Sequence, residues 1–184
     1  TSLDSLSQLE LFGEVCNQME IAPENRKCAV RINPGVGAGH CEKVVTGGKK
    51  TKFGIAEYSI PQIFEIAEKY QITIAGINQH IGSLFMDPQP YLDAVTNLLR
   101  IAHQFQNLEF IDFGGGYGIP YHKLDDEKEF PMEDFKSRLE PILDEFVASY
   151  GKAPLFKSEP GRYCVAEGSV ILGRVHATKE NSGI

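Results

Sequence analysis

The sequence predicts a parallel α/β fold, and two observations carry that prediction. Short apolar strands alternate with amphipathic helices along the chain, the pattern expected when strands are covered by crossover helices. Polar and glycine-rich motifs follow directly after three successive strands, where parallel α/β folds gather their functional groups. An open doubly wound sheet and a (β/α)8 barrel both satisfy the alternation. A whole barrel takes eight β/α units and typically about 250 residues. With about four units in 184 residues, the barrel reading makes this chain roughly half of one.

Each element has a local cause. Asp4 or Ser5 can cap a first helix whose apolar residues Leu9, Phe12, Val15, Cys16 and Met19 recur at helical spacing, with Pro23 ending it. The strand Cys28 to Ile32 follows. After a glycine-rich loop, Ser59 caps a helix carrying Ile60, Ile63, Phe64 and Ala67, and Ile72 to Ile77 is the next strand. Asp87 and Pro88 start a third helix with the stripe Leu92, Val95, Leu98, Leu99 and Ala102, ahead of the strand Leu108 to Phe113. Met132 to Tyr150 forms a long helix stopped by Gly151, and Pro141 is expected to kink or divide it. Leu155 to Ser158 and Ser169 to Ala177 read as the last two strands.

Composition narrows the function. An apolar share of 42% and a charged share of 23% are those of an ordinary folded protein, which excludes a disordered chain. Eighteen basic against 25 acidic side chains, with no basic stripe, argue against a nucleic-acid partner. No apolar run reaches the roughly 20 residues that span a bilayer. Cys16, Cys28, Cys41 and Cys164 are scattered without a CxxC pair and read as reduced thiols, which points to the cytoplasm. His40-Cys41-Glu42 resembles a metal cluster only superficially, and no metal is expected; Lys49, Lys50 and Lys52 read as a solvated face.

The chemistry sits in three motifs. Gly76-Ile77-Asn78-Gln79-His80-Ile81-Gly82-Ser83 runs from a strand into a polar turn. Ile111-Asp112-Phe113-Gly114-Gly115-Gly116-Tyr117-Gly118-Ile119-Pro120-Tyr121 places three adjacent glycines where backbone N–H groups can approach an anion. It is not a dinucleotide fingerprint, because Pro120 and Tyr121 interrupt the helix start that GxGxxG requires. Lys157-Ser158-Glu159-Pro160-Gly161-Arg162-Tyr163 offers a carboxylate for a protonated ring nitrogen and a guanidinium for a phosphate or carboxylate. Taken singly, these are a structural histidine, a tight turn and a surface ion pair. Together they are the parts a phosphorylated heteroaromatic cofactor needs.

Five segments, Arg31 to Gly35, Thr51 to Ile55, GINQHIGS at 76–83, GGGYGIPY at 114–121 and EPGRYCVAEG at 159–168, resemble the family of diaminopimelate, ornithine and arginine decarboxylases in order and spacing. GGGYGIPY leans toward the diaminopimelate branch. The resemblance implies a pyridoxal-phosphate barrel of the alanine-racemase type, about its C-terminal half, over residues 1–168, with 169–184 opening a C-terminal β domain. It also implies a homodimer acting on a small amino acid, while the cysteines, charge and hydropathy point to the cytoplasm with neither membrane nor nucleic acid as a partner.

The resemblance further implies residue roles. His80 would stack on the cofactor ring, Ser83 would approach its phosphate, and Gly114, Gly115 and Gly116 with Pro160, Gly161 and Arg162 would hold that phosphate. Glu159 would pair with the pyridine nitrogen as an ionised partner rather than a base, Arg162 would also meet substrate, and Arg31 would order the site. The family's lysine that carries the cofactor and its catalytic cysteine are expected outside these 184 residues; Lys157 is expected to point into the barrel without carrying the cofactor. Asn78 stands where the family commonly has histidine, and Leu84 where glutamine is frequent. The implied reaction is decarboxylation of meso-2,6-diaminopimelate to L-lysine, a step of lysine biosynthesis. The alternatives are a decarboxylase of ornithine, arginine or a carboxylated polyamine, or a non-catalytic barrel that binds the cofactor.

Overall fold

The computed structural model describes residues 1–33, 35, 48, 51–121 and 127–180. Five strands form one sheet: β1 (Ser2–Leu3), β2 (Lys27–Arg31), β3 (Thr73–Asn78), β4 (Phe110–Asp112) and β5 (Leu155–Lys157). They lie side by side in chain order and all pairs are parallel. A doubly wound sheet reverses its strand order at a switch point, whereas a barrel adds each strand beside the last. The sequential order therefore decides for an arc of a (β/α)8 barrel. β1 was not expected from sequence, because two residues are too few to show a period.

Helices α1 (Leu6–Gln18), α2 (Ile60–Tyr70), α3 (Gln89–Ala102) and α4 (Met132–Tyr150) connect the strands. Between the helices and the sheet lies the core, where Val30, Ile32, Ile63, Ile77, Leu98, Ile101 and Ile111 are fully buried. Ser5 caps α1 by accepting the Gln8 N–H. Asp4 does different work: it ion-pairs with Arg31 at 3.4 Å and accepts the Gly54 N–H at 3.2 Å. Ser59 occupies the cap position of α2 but makes no side-chain cap bond, since a 3₁₀ turn over Glu57–Ser59 already leads into the helix. Asp87 accepts the Gln89 N–H at the start of α3, as its sequence position suggested.

Two expectations are corrected. Pro141 does not divide α4, which runs unbroken for 19 residues. Pro141 is exposed, as is Ser137 one turn earlier, so the carbonyl that loses its partner can bond to water. Ser169 to Ala177 is not a strand. From 169 to 180 no residue joins a ladder among the described residues, and Ile171 is 100% exposed. An apolar run becomes a strand only when it pairs with an edge, and this one pairs with none among the described residues. An unexpected short helix, α5 (Gly161–Val165), continues into a 3₁₀ turn at Ala166–Gly168.

Burial pushes the Cys28 thiol up to about 11, away from nucleophilic use. Cys16, Cys28 and Cys164 are free thiols. Cys41, the rest of the His40-Cys41-Glu42 cluster, Lys49, Lys50 and Pro34 lie outside the described residues; Lys52 stands 5.5 Å from the Phe53 ring. No helix among the described residues is long and apolar enough to cross a membrane, and no group of three potential metal ligands occurs among them.

Candidate active site at the strand ends

The parallel register sets Arg31, Asn78, Asp112 and Lys157 side by side at the C-terminal ends of β2 to β5. Because side chains alternate across a strand, these four share one face of the sheet, opposite the buried layer of Val30, Ile77 and Ile111. Phe110 fills the level below, its ring within 2.5 Å of where a Gly76 Cβ would stand. The Lys157 ammonium lies 3.8 Å from the centre of that ring, so this lysine does point along the concave face.

One step beyond this layer, the three motifs meet. His80 accepts the Gly115 N–H on Nδ1 at 3.3 Å. Asp112 accepts the Gly114 N–H at 2.9 Å, and the Gly114 carbonyl accepts the Glu159 N–H at 2.9 Å. Glycine is required here by close approach of chain to chain. A Cβ on Gly114 would stand 2.5 Å from the Gln79 carbonyl oxygen and 2.8 Å from His80 Nδ1. A Cβ on Gly115 would overlap the Glu159 carbonyl, and one on Gly116 the Gly82 carbonyl. Gly114 and Gly116 also have φ of +70° and +108°, values that side chains resist. Segment 82–86 is stitched to the same turn by Phe85 N–H to Gly116 O and Gly118 N–H to Phe85 O.

Polar donors gather on the far side of that turn. The Arg162 guanidinium donates through Nε to Ser83 Oγ at 3.3 Å and through Nη1 to the Tyr121 hydroxyl at 2.5 Å. Among the described residues the Gly116 N–H donates to no protein acceptor, whereas the Gly114, Gly115 and Gly161 amides are already bonded within the protein. Pro160 precedes α5 and its carbonyl accepts the Cys164 N–H. A guanidinium, a hydroxyl and an amide are the donor set a phosphate uses.

The electrostatics are those of a carboxylate and an imidazole in a crowded mouth. Burial holds the His80 imidazole below its ordinary value; Arg31 adds to the effect and Asp112 opposes it. Burial raises the Glu159 carboxyl, Asp112 adds to the rise, and Arg31 offsets it. Arg31 is thus a common neighbour of both groups, steadied by Asp4 and by the Phe53 ring 4.9 Å away. The early motifs meet there too: Asn33 donates to Thr51 Oγ1 at 3.3 Å, and Ile32 bridges to Ile55. A cavity of about 850 Å³ opens beside these early motifs, lined by Asn33, Thr51, Gly54 and Ile55 together with the start of α1 and the Glu57–Ser59 turn; Glu57 is the charged residue in its described lining.

The pyridoxal-binding domain of the pyridoxal-dependent decarboxylases matches residues 1–166. The chain belongs to that family. Among curated relatives, the diaminopimelate decarboxylase of Methanothermobacter thermautotrophicus is 39% identical over 186 residues, covering 98% of this chain and 42% of the relative. That of Methanocaldococcus jannaschii is 30% identical, covering 97% of this chain and 41% of its own length. Among solved structures, diaminopimelate decarboxylase from Helicobacter pylori complexed with L-lysine superposes with a TM-score of 0.77 at 27% identity, covering 90% of this chain and 40% of that one. This chain therefore spans about two fifths of the length of the decarboxylases it matches.

The pyridoxal-binding barrel thus brings every described site candidate to one end of the sheet. Sequence reading gave no site role to four residues that shape these strand ends: Asp4, Tyr91, Asp112 and Ser158. Asp4 and Ser158 bond across gaps of 50 and 41 residues, whereas Asp112 bonds the Gly114 N–H two residues on and so carried a local signal.

Proposed function

We propose that the protein of which these residues form part is a pyridoxal-phosphate-dependent decarboxylase of meso-2,6-diaminopimelate, releasing carbon dioxide and L-lysine. The observation that carries this reading is the meeting of Ser83, Gly116 and Arg162 on one side of a glycine turn whose other neighbours are His80 and Glu159. The 39% identity to a diaminopimelate decarboxylase across 98% of the chain directs the choice of substrate.

The donor set fits the cofactor. Ser83 Oγ, the Gly116 N–H and the Arg162 guanidinium would hold the phosphate, with Gly114, Gly115, Pro160 and Gly161 bringing their loops together. His80 would lie against the ring, its plane fixed by the Gly115 N–H on Nδ1. Glu159 would hold a proton at the ring nitrogen, and that cationic N–H would in turn favour the ionised carboxylate over the raised state burial imposes. When bound, pyridoxal phosphate supplies an electron sink for the pair left on the α-carbon as carbon dioxide departs. Arg162 would also orient a substrate carboxylate, and Arg31 would keep Glu159 from accepting a second role as base.

Residues 1–168 are read as barrel and 169 onward as the opening of a β domain, supported by the family match ending at 166 and by the exposed apolar side chains Val170, Ile171 and Leu172. The reading includes a cytoplasmic homodimer with no nucleic-acid or membrane partner, in keeping with the net charge of −7 and the lack of a basic stripe. The test is carbon dioxide release by the full-length protein with pyridoxal phosphate, offered diaminopimelate, ornithine and arginine separately. Release from diaminopimelate alone is expected. Faster release from ornithine or arginine would reassign the substrate, and none from any of the three would overturn the reading.

A further inference from the structure

Beneath the glycine turn, on the helix side of the sheet, three hydroxyls form a closed ring with one carbonyl. Tyr91 donates to the Gly114 carbonyl at 3.3 Å, Tyr117 to the Tyr91 hydroxyl at 2.9 Å, Tyr117 and Ser158 are 2.9 Å apart, and Ser158 reaches the same Gly114 carbonyl at 3.1 Å. Tyr91 belongs to α3, Tyr117 to the loop after β4 and Ser158 to the end of β5. Tyr91 is 1% exposed and Tyr117 5%, so water is not an easy substitute for either partner. Burial raises both phenols, which therefore stay protonated donors at any pH the protein meets.

The ring has four contacts and three O–H protons, so three contacts are hydrogen bonds at any moment, and the Ser158 proton can turn to Tyr117 or to the Gly114 carbonyl. The Gly114 carbonyl at its apex also accepts the Glu159 N–H. Edge-on and tilted packing of Tyr91 and Tyr117 against Phe85, Phe130 and Phe135 holds both rings in place.

We propose that Tyr91, Tyr117 and Ser158 are positioning residues that set the distance between the glycine turn and Glu159, and so the fit of the cofactor's phosphate end against its ring-nitrogen end. The inference rests on the reading above, that Glu159 and the glycine turn serve one pyridoxal phosphate. None of the three hydroxyls would touch the cofactor; they act through the Gly114 carbonyl. Losing one hydroxyl lets the β4 and β5 ends shift relative to one another while the apolar rings remain packed.

The test uses the full-length protein and its Tyr117→Phe, Tyr91→Phe, Ser158→Ala and Ser158→Thr variants. Cofactor affinity is read by fluorescence titration, the bound cofactor's absorbance is followed against pH, and the unfolding midpoint is measured without cofactor. Phe and Ala variants should bind pyridoxal phosphate about fivefold or more weakly, as expected for one lost hydrogen bond. Their absorbance profile should shift along the pH axis, because the Glu159 contact is altered, and Ser158→Thr should restore affinity to within about twofold. Wild-type affinity and absorbance profile in the Phe and Ala variants, whatever happens to the midpoint, would overturn the proposal and leave the cofactor reading intact. No cofactor binding by the unsubstituted protein would overturn both.

Discussion

Glycine at 115 illustrates how narrowly the site is drawn. Its Cβ would overlap the Glu159 carbonyl, which cannot yield as a flexible side chain would. Gly115→Ala in the full-length protein should cost about 1–3 kcal/mol of stability by overpacking and weaken cofactor binding, readable from denaturant unfolding and a titration side by side. His80 gives a pH signature. Its folded value lies below the ordinary 6.5, so the unfolded chain binds more protons in the window between the two. Stability should fall as pH drops below 6.5 and level off beneath the folded value. His80→Gln should remove that slope; an unchanged slope would assign it elsewhere. At this scale the residue types in the three motifs were legible, because each stands directly after a strand. Tyr91 and Ser158 were not, since a tyrosine in an apolar helix stripe and a serine at a strand end acquire a role only when β4 and β5 become neighbours.

Helix pairing adds constraints of a different kind. Gly13 lies in the middle of α1, where alanine would ordinarily gain about 1 kcal/mol of helix propensity. Yet its Cβ would press into the Tyr70 side chain at the end of α2, with Tyr70 Cβ only 2.7 Å away. Overpacking of about 1–3 kcal/mol outweighs the propensity gain, so Gly13→Ala should lower the unfolding midpoint; a rise would show that Tyr70 rotates away freely. Pro141 points the other way. It is exposed in an unbroken helix, so Pro141→Ala restores a backbone bond without disturbing packing and should stabilise by about 1–2 kcal/mol, the helix gain less the entropy proline removes from the unfolded chain. The helices were legible from their apolar stripes. β1 and α5 were not, one being too short for a pattern and the other opening on Pro160-Gly161, which read as a turn. The run 169–177 misled because its β-branched residues describe what a strand would use, not whether an edge is available.

At the level of the whole molecule, strand alternation left an open sheet and a barrel equally allowed, and the order β1 to β5 separates them. An arc of a barrel presents two unpaired parallel edges, and here its concave face carries Leu155, 62% exposed, beside Lys157 and Glu159. The 184 residues expressed alone should self-associate and lack decarboxylase activity; a soluble monomer with a sharp unfolding transition would contradict that.

The cradle for pyridoxal phosphate proposed at the ends of β3, β4 and β5 has Arg162 and Ser83 at its phosphate end. It is tested most directly by the cofactor's dissociation constant in the full-length protein and in Arg162→Ala. Arg162→Ala should bind at least about tenfold more weakly, the order expected when one charged phosphate contact is removed. Equal affinity in the two proteins would contradict it and move the phosphate to another part of the barrel.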